Sequence, residues 1–280
     1  MALAALGLLQ AACTAAPSRL RGGPAPGGAP PTNSPDVVAA GNGLAAEKFH
    51  GAVRLRADLT VRPIAPGVFL HESTRALPGL GPIGSNGLVV LGSRHALLVD
   101  TAWGDEATAA LLDWVERETG RRATDLVVTH SHDDRIGGIR EARRRGIRVH
   151  EFEGTARRAS ADGWPPPDEV FASEALLAVD DVRAEVFFPG AAHSPDNVVV
   201  WLPGPRILFG SCMIRSGDAT DVGNRADASL STWEASLAAV EARFPGPTTV
   251  VPGHGSPGGI ELIARTRQVV REAVSNPRMP

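Results

Sequence analysis

Hydrophobic positions along the chain follow two spacings, and the alternation between them predicts its architecture. Short, nearly unbroken apolar runs, most of them bounded by Gly, Pro or polar residues, occur at 59–64, 68–71, 88–91, 96–100, 126–128, 147–149, 182–188, 198–202, 207–209 and 248–251. Runs of that length and bounding predict strands, residues 126–128 a buried one. Between them the spacing changes to that of a helix. Ala107, Ala110, Leu111 and Trp114 form one apolar stripe, and residues 139–145 predict a second helix, stopped by Gly146. Residues 154–161 predict a third. Leu230, Trp233, Leu237 and Val240 mark a fourth, with the capping box Ser231-Thr232-Trp233-Glu234 at its start. Residues 258–274 predict the last. Strand groups alternating with single helices give an α/β class with helices outside packed sheets.

Two stretches fit neither spacing. Residues 163–167, Gly-Trp-Pro-Pro-Pro, break regular structure. Residues 72–84 contain Leu77, Pro78, Gly79, Leu80, Gly81, Pro82 and Ile83, too many Gly and Pro for a core element. They predict an apolar loop, a candidate flap over a cleft.

Residues 1–44 have a different composition. Residues 1–16 are an apolar run followed by small residues, which resembles an export signal without its basic start. Leu9-Gln10-Ala11-Ala12-Cys13 also resembles a lipoprotein processing site, with Gln10 where an aliphatic residue is usual, so Cys13 is a candidate lipid anchor to an outer membrane. Residues 17–44 are rich in Pro, Gly, Ala and Ser with little to bury, and predict a disordered tether. The folded domain is expected over 45–280. Export would place the domain in the periplasm.

The 280 residues carry a net charge of −3 without a basic stripe, which argues against nucleic acid as a partner. Only two cysteines occur, Cys13 and Cys212. If Cys13 is in a removed or lipidated leader, Cys212 is a free thiol or a metal ligand.

The chemistry concentrates in Thr129-His130-Ser131-His132-Asp133-Asp134-Arg135. In an extended segment residues i and i+2 project to one side, so His130 and His132 can grip one ion while Asp134 reaches onward. Imidazole and carboxylate donors together suit zinc. Three more donors follow other apolar runs beside Gly or Pro: His193 after 182–188, Cys212 after 207–209 and His254 after 248–251. Strand ends are where α/β folds assemble sites. His50, His71, His95 and His150 lack that setting and are expected to be structural or surface residues.

With these motifs together, the chain resembles the metallo-β-lactamases, specifically the subclass with one three-His zinc site and one Asp-Cys-His zinc site. The resemblance covers Leu98-Val99-Asp100-Thr101-Ala102-Trp103-Gly104, the His130 motif, Ala192-His193-Ser194-Pro195-Asp196-Asn197, Gly210-Ser211-Cys212, Gly223-Asn224 and Pro252-Gly253-His254-Gly255. Other hydrolases of the wider superfamily commonly carry His directly after the motif's Asp, where this chain has Arg135. The resemblance implies a four-layer αββα sandwich and two zinc ions per chain, one on His130, His132 and His193 and one on Asp134, Cys212 and His254.

It further implies hydrolysis of the β-lactam amide bond by metal-activated water, with no covalent acyl-enzyme. Asp134 and Asn224 are then the catalytic residues, Asn224 on the oxyanion side. Arg215, Asn224 and Trp103 are the substrate-binding residues, Arg215 standing where the family often has Lys. The partners implied are small β-lactams, and a monomer is expected. Gly210-Ser211-Cys212 departs from the family's more usual Gly-Gly-Cys. The alternatives are a thioesterase or lactonase of the same fold and a non-catalytic zinc-binding envelope protein. Closed structural sites use four protein ligands, so two sets of three favour catalysis.

Overall fold

The computed structural model describes residues 51–276; the expected signal 1–16, with Cys13, and the tether 17–44 lie outside the described residues. One sheet holds eight strands in chain order: β1 (Val53–Arg56), β2 (Leu59–Ala65), β3 (Val68–Leu77), β4 (Gly81–Leu91), β5 (His95–Val99), β6 (Arg122–Val128), β7 (Arg148–Phe152) and β8 (Glu169–Phe171). The first five form an antiparallel meander, and β5 through β8 run parallel. The parallel joins need crossovers. These are α1 (Asp105–Thr119), then α2 (Asp133–Ile136) with α3 (Ile139–Arg144), then α4 (Glu153–Ala161).

The second sheet has the order β13-β12-β11-β10-β9, from β9 (Glu174–Val179), β10 (Val182–Phe187), β11 (Val199–Leu202), β12 (Ile207–Ser211) and β13 (Thr249–Pro252). The parallel β12–β13 pair is bridged by α5 (Leu230–Arg243), and α6 (Glu261–Ser275) closes the described chain.

Three apolar cores separate four layers. Phe69, Val89, Leu98, Leu126 and Val128 face Leu111, Trp114 and Val115 of α1 and Ile139 of α3, with Phe69 edge-on to Trp114 at 5.3 Å. The alternate residues Val68, Leu70, Val90, Leu97, Val99 and Val127 meet Leu177, Val186, Val200 and Phe209 of the second sheet. The outer face of that sheet, Val199, Trp201, Leu208 and Val250, packs on Trp233 and Leu237 of α5 and Ile263 and Val270 of α6. Strands buried on both faces explain the unbroken apolar runs. Each such side chain removed from water contributes about 1.5–3 kcal/mol. The architecture is the αββα sandwich.

Residues 72–84 correct the expected loop. They are the outer half of a β-hairpin, paired in regular antiparallel register from Glu72↔Asn86 to Leu77↔Gly81. β5 pairs with β4 only at Leu88–Leu91, so this arm has no third strand beside β4, and such an edge tolerates Pro82. The capping box is corrected too: α5 starts one residue before Ser231, with Ser229 at its N-cap and no side-chain cap bond. β1, β8 and β9 went unpredicted. In β9, Leu177 and Val179 face the core while Leu176 is exposed, and that outward leucine hides the period of two.

Candidate metal centre

Four loops that leave strand C-termini at one edge of the sandwich carry the donors. After β6, Thr129 donates its N–H to Asp100 Oδ1 at 2.7 Å and its hydroxyl to Asp100 Oδ2 at 2.8 Å. Ser131 N–H donates to Asp196 Oδ2 at 2.8 Å, and His132 stands at the N-cap of α2 in an extended conformation. The histidine loop is therefore held from beneath and from the side.

His130, His132 and His193 converge. Their ring centroids are 4.7–5.2 Å apart and nearly perpendicular, and His193 Nε2 lies 3.2 Å from His132 Nδ1. A tetrahedral ion with nitrogen ligands at about 2.0–2.1 Å spaces them roughly 3.3 Å apart. His132 Nε2 lies 2.9 Å from Asp227 Oδ2, a contact that assigns the proton to Nε2 and leaves the Nδ1 lone pair for the centre. His130 Nε2 is buried without a hydrogen-bond partner, a cost that a bound cation removes. Burial holds His130 well below the usual imidazole range and His193 at about 3. Both are neutral donors at neutral pH.

Asp134, Cys212 and His254 form the adjoining set, their donor atoms within 4.8 Å of one another. Cys212 Sγ lies 3.2 Å from His254 Nε2 and 3.9 Å from Asp134 Oδ2, and His254 Nε2 lies 3.4 Å from Asp134 Oδ2. These are again the edges of a coordination polyhedron. His254 Nδ1 sits 2.7 Å from Gly84 O, so its proton is there and Nε2 is the free donor. Gly253 is obligatory in this packing: a Cβ on it would stand 2.6 Å from the Cys212 sulfur.

Beneath this set lies Arg135, fully buried. Its Nη2 donates to Cys212 Sγ at 3.1 Å and to Gly253 O at 2.8 Å and lies 2.8 Å from Asp134 Oδ2; its Nη1 lies 3.5 Å from Asp100 Oδ2. Burial alone would raise Asp134, but Arg135 and His254 hold it at about 2. Burial pushes the Cys212 thiol up to about 12 against the pull of Arg135. A soft cation displaces that proton on binding, because the metal ligand is the thiolate.

The other candidate residues fall around this centre in unequal ways. Arg215, three residues after Cys212, is largely buried, and its Nε donates to Asp221 O at 3.1 Å. Asn224 is exposed on the loop that also carries Asp227, and its Oδ1 accepts from Ala226 N at 3.0 Å, which leaves the NH₂ end for a ligand. Trp103 directs its indole N–H to Asp133 Oδ2 at 2.7 Å. Of the histidines set aside, His71 is fully buried, His95 pairs with Asp180 and His150 with Asp125, and His50 lies outside the described residues.

The sequence reading assigned no site role to Arg135, Asp100, Asp227 or Asn86. Asn86 donates to Pro252 O and Gly255 O at 2.9 and 2.8 Å, tying down the His254 loop. Two signals existed: a charged residue ending an apolar run (Asp100) and an Arg directly after the motif. Ser211 explains the departure from Gly-Gly-Cys. It takes φ 49, a region favouring Gly, and its hydroxyl lies 2.7 Å from Thr129 Oγ1, an interaction Gly could not make.

Comparison with known proteins agrees with this arrangement. The family model described as the metallo-beta-lactamase superfamily matches residues 80–254. A Bacteroides fragilis protein named metallo-beta-lactamase type 2 is 34% identical over 82% of this chain and 92% of its own length. A Bacillus cereus protein of the same name is 36% identical over 76% and 83%. The solved metallo-beta-lactamase from Pontibacter korlensis superposes with a TM-score of 0.74 at 37% identity, over 76% of this chain and 99% of that one. A match spanning most of the described residues, on a sandwich whose strand-end loops gather His, Asp and Cys donors, identifies the chain as a member of the metallo-β-lactamase superfamily.

Proposed function

We propose that this protein hydrolyses the amide bond of β-lactam antibiotics using two zinc ions, and that it thereby confers resistance. The observation that carries the reading is the pair of adjoining three-donor sets, His130/His132/His193 and Asp134/Cys212/His254, each one ligand short of a closed tetrahedral site. Mixed N, O and S donors select zinc among common divalent ions, and relatives at 34–36% identity bear the name metallo-beta-lactamase. When bound, the ions supply a water acidified to a pKa of about 7 and an electrophile for the lactam group.

The protein's own groups do the rest. Asp134, held ionised over Arg135, orients the attacking water and keeps the second set anionic. Asn224 turns its NH₂ end to the developing oxyanion, where such a donor contributes most. Arg215, held by Asp221 through Nε and Nη2, anchors the substrate carboxylate through its remaining N–H groups. Trp103, whose indole N–H meets Asp133 next to His132, is the remaining substrate-binding residue of this reading. No side-chain nucleophile is required, so no acyl-enzyme forms.

Residues 1–16 are read as an export signal and 17–44 as a tether. Cys13 is a candidate lipid attachment point, and the catalytic domain is taken as monomeric and periplasmic. The support for export and the tether is compositional, and mass spectrometry of envelope and cytosolic fractions tests them: an intact Met1 in the cytosol overturns export. The activity is tested by assaying the purified protein on a chromogenic cephalosporin and a carbapenem with and without chelator. The expected result is hydrolysis that disappears on zinc removal and returns with zinc. Absence of turnover on both classes by zinc-loaded protein overturns the reading.

A further inference from the structure

The outer half of the β3–β4 hairpin ends in an exposed apolar tip. Leu80 is 71% exposed, and Leu77 and Ile83 are only half buried. A two-stranded arm is marginal by itself, so its posture depends on what holds its base. Arg75 of β3 does so. Its Nη1 pairs with Asp133 Oδ2 and its Nη2 donates to Trp103 O at 3.3 Å, while the guanidinium lies over the Trp103 ring, 5.0 Å from the centroid. Asp133 Oδ2 also accepts the Trp103 indole N–H at 2.7 Å, and Trp103 N donates to Ser73 Oγ at 2.8 Å on the same arm. Gly104 admits the guanidinium: a Cβ there would stand 3.1 Å from Nη2.

Asp133 lies between His132 and Asp134, so these contacts join the arm to the donor loop. An isolated ion pair at 40% and 47% exposure holds weakly. Here one guanidinium meets a carboxylate, a carbonyl and an indole face at once, and the carboxylate is itself fixed by a second donor.

We propose that Arg75 is a positioning residue that clasps the hairpin arm to the donor loop through Asp133 and Trp103. The posture of the arm, and with it the tightness of β-lactam binding, then depends on the Arg75–Asp133 pair. The kinetic half of this inference rests on the hydrolase reading above; the mechanical half does not. Arg75→Leu keeps an apolar body against the indole while removing the charge, and Asp133→Asn tests the pair from the other side.

The experiment is hydrogen exchange of amides 72–84 in zinc-loaded full-length protein, with zinc content and steady-state kinetics on a cephalosporin measured alongside. Each single change is expected to speed exchange at 72–84 at least fivefold. Arg75→Leu is expected to raise KM three- to tenfold with kcat within twofold and zinc content unchanged. The double variant should speed exchange by less than the two singles combined, because both remove the shared Arg75–Asp133 contact. Exchange within twofold of the parent in both singles, or fully additive effects in the double, overturns the clasp. If the parent hydrolyses no β-lactam, the hydrolase reading fails while the exchange data still decide the clasp.

Discussion

Arg158 and Asp227 meet at 2.8 Å, Nη2 to Oδ1, and the other oxygen of the same carboxylate is 2.9 Å from His132 Nε2. A guanidinium on α4 thus reaches the first donor set through one carboxylate. Arg158 Nε also donates to Ser131 Oγ at 3.3 Å and lies 3.6 Å from Asp196 Oδ1. Groups of this kind orient metal ligands, and losing one typically costs ten- to a hundredfold in metal affinity. Asp227→Ala should weaken zinc binding at the three-His set by about that factor, and Arg158→Leu should weaken it less. Competition against a fluorescent chelator checks the order, and equal affinities across parent and both variants would show that His132 needs neither.

Cys212 supplies the softest donor of the second set, and Arg135 stands 3.1 Å from it. Cys212→Ser should retain one zinc per chain and lose the second at low free metal, since a hydroxyl is a poor replacement for thiolate. Elemental analysis after dialysis against a zinc buffer measures this directly. Two zincs retained by the serine variant would remove Cys212 from the site.

Glu151 on β7 is fully buried, and neither carboxylate oxygen has a hydrogen-bond partner. Burial raises it to about 7, with Asp196 adding to the rise and Arg143 opposing it. Below the ordinary carboxylate range both folded and unfolded chains hold the proton, and no stability is at stake. Between that range and about pH 7 the folded protein keeps the proton that the unfolded chain has shed, so stability falls as pH rises. Above about pH 7 the full cost applies, roughly 3 kcal/mol at most by the conversion of about 1.4 kcal/mol per pH unit. Glu151→Gln should therefore raise Tm by several degrees at pH 8 and by almost nothing near pH 4.5. A Tm gain of equal size at both pH values would refute the ionisation account.

Arg215 bonds to Asp221 rather than pointing freely into the cleft, yet it follows Cys212 by three residues and contributes to the electrostatics of His193, Cys212 and His254. Charge-assisted hydrogen bonds contribute about 1.5–3 kcal/mol, so Arg215→Ala should lower kcat/KM roughly ten- to a hundredfold on a carboxylate-bearing β-lactam, mostly through KM. Arg215→Lys should keep much of the activity. A loss below twofold in Arg215→Ala would mean that the carboxylate is anchored elsewhere.

The donors were legible in the sequence because each follows an apolar run at a turn, and strand ends can be read from local pattern. What holds those donors was not. Asp100 meets Thr129 across 29 residues and Arg135 meets Cys212 across 77, separations that no local spacing encodes. The hairpin arm was misread because Gly and Pro count against a strand locally, whereas pairing with β3 across a tight turn outweighs that preference in an edge strand. The α5 cap failed for a similar reason. A capping-box pattern marks a helix start only if the chain enters there, and tertiary packing of Leu230 and Trp233 places the entry earlier.

Arg135 supplies positive charge to the second donor set from within the fold itself. Zinc fingers need their ion to fold at all, because in so small a domain the binding free energy of the metal is the folding free energy. Here a buried guanidinium already sits against Asp134, Asp100 and Cys212, so the acidic groups have a counter-charge before any ion arrives. Stripping the metal should therefore leave the sandwich folded, with Arg135 as the remaining partner of Asp134 and Cys212.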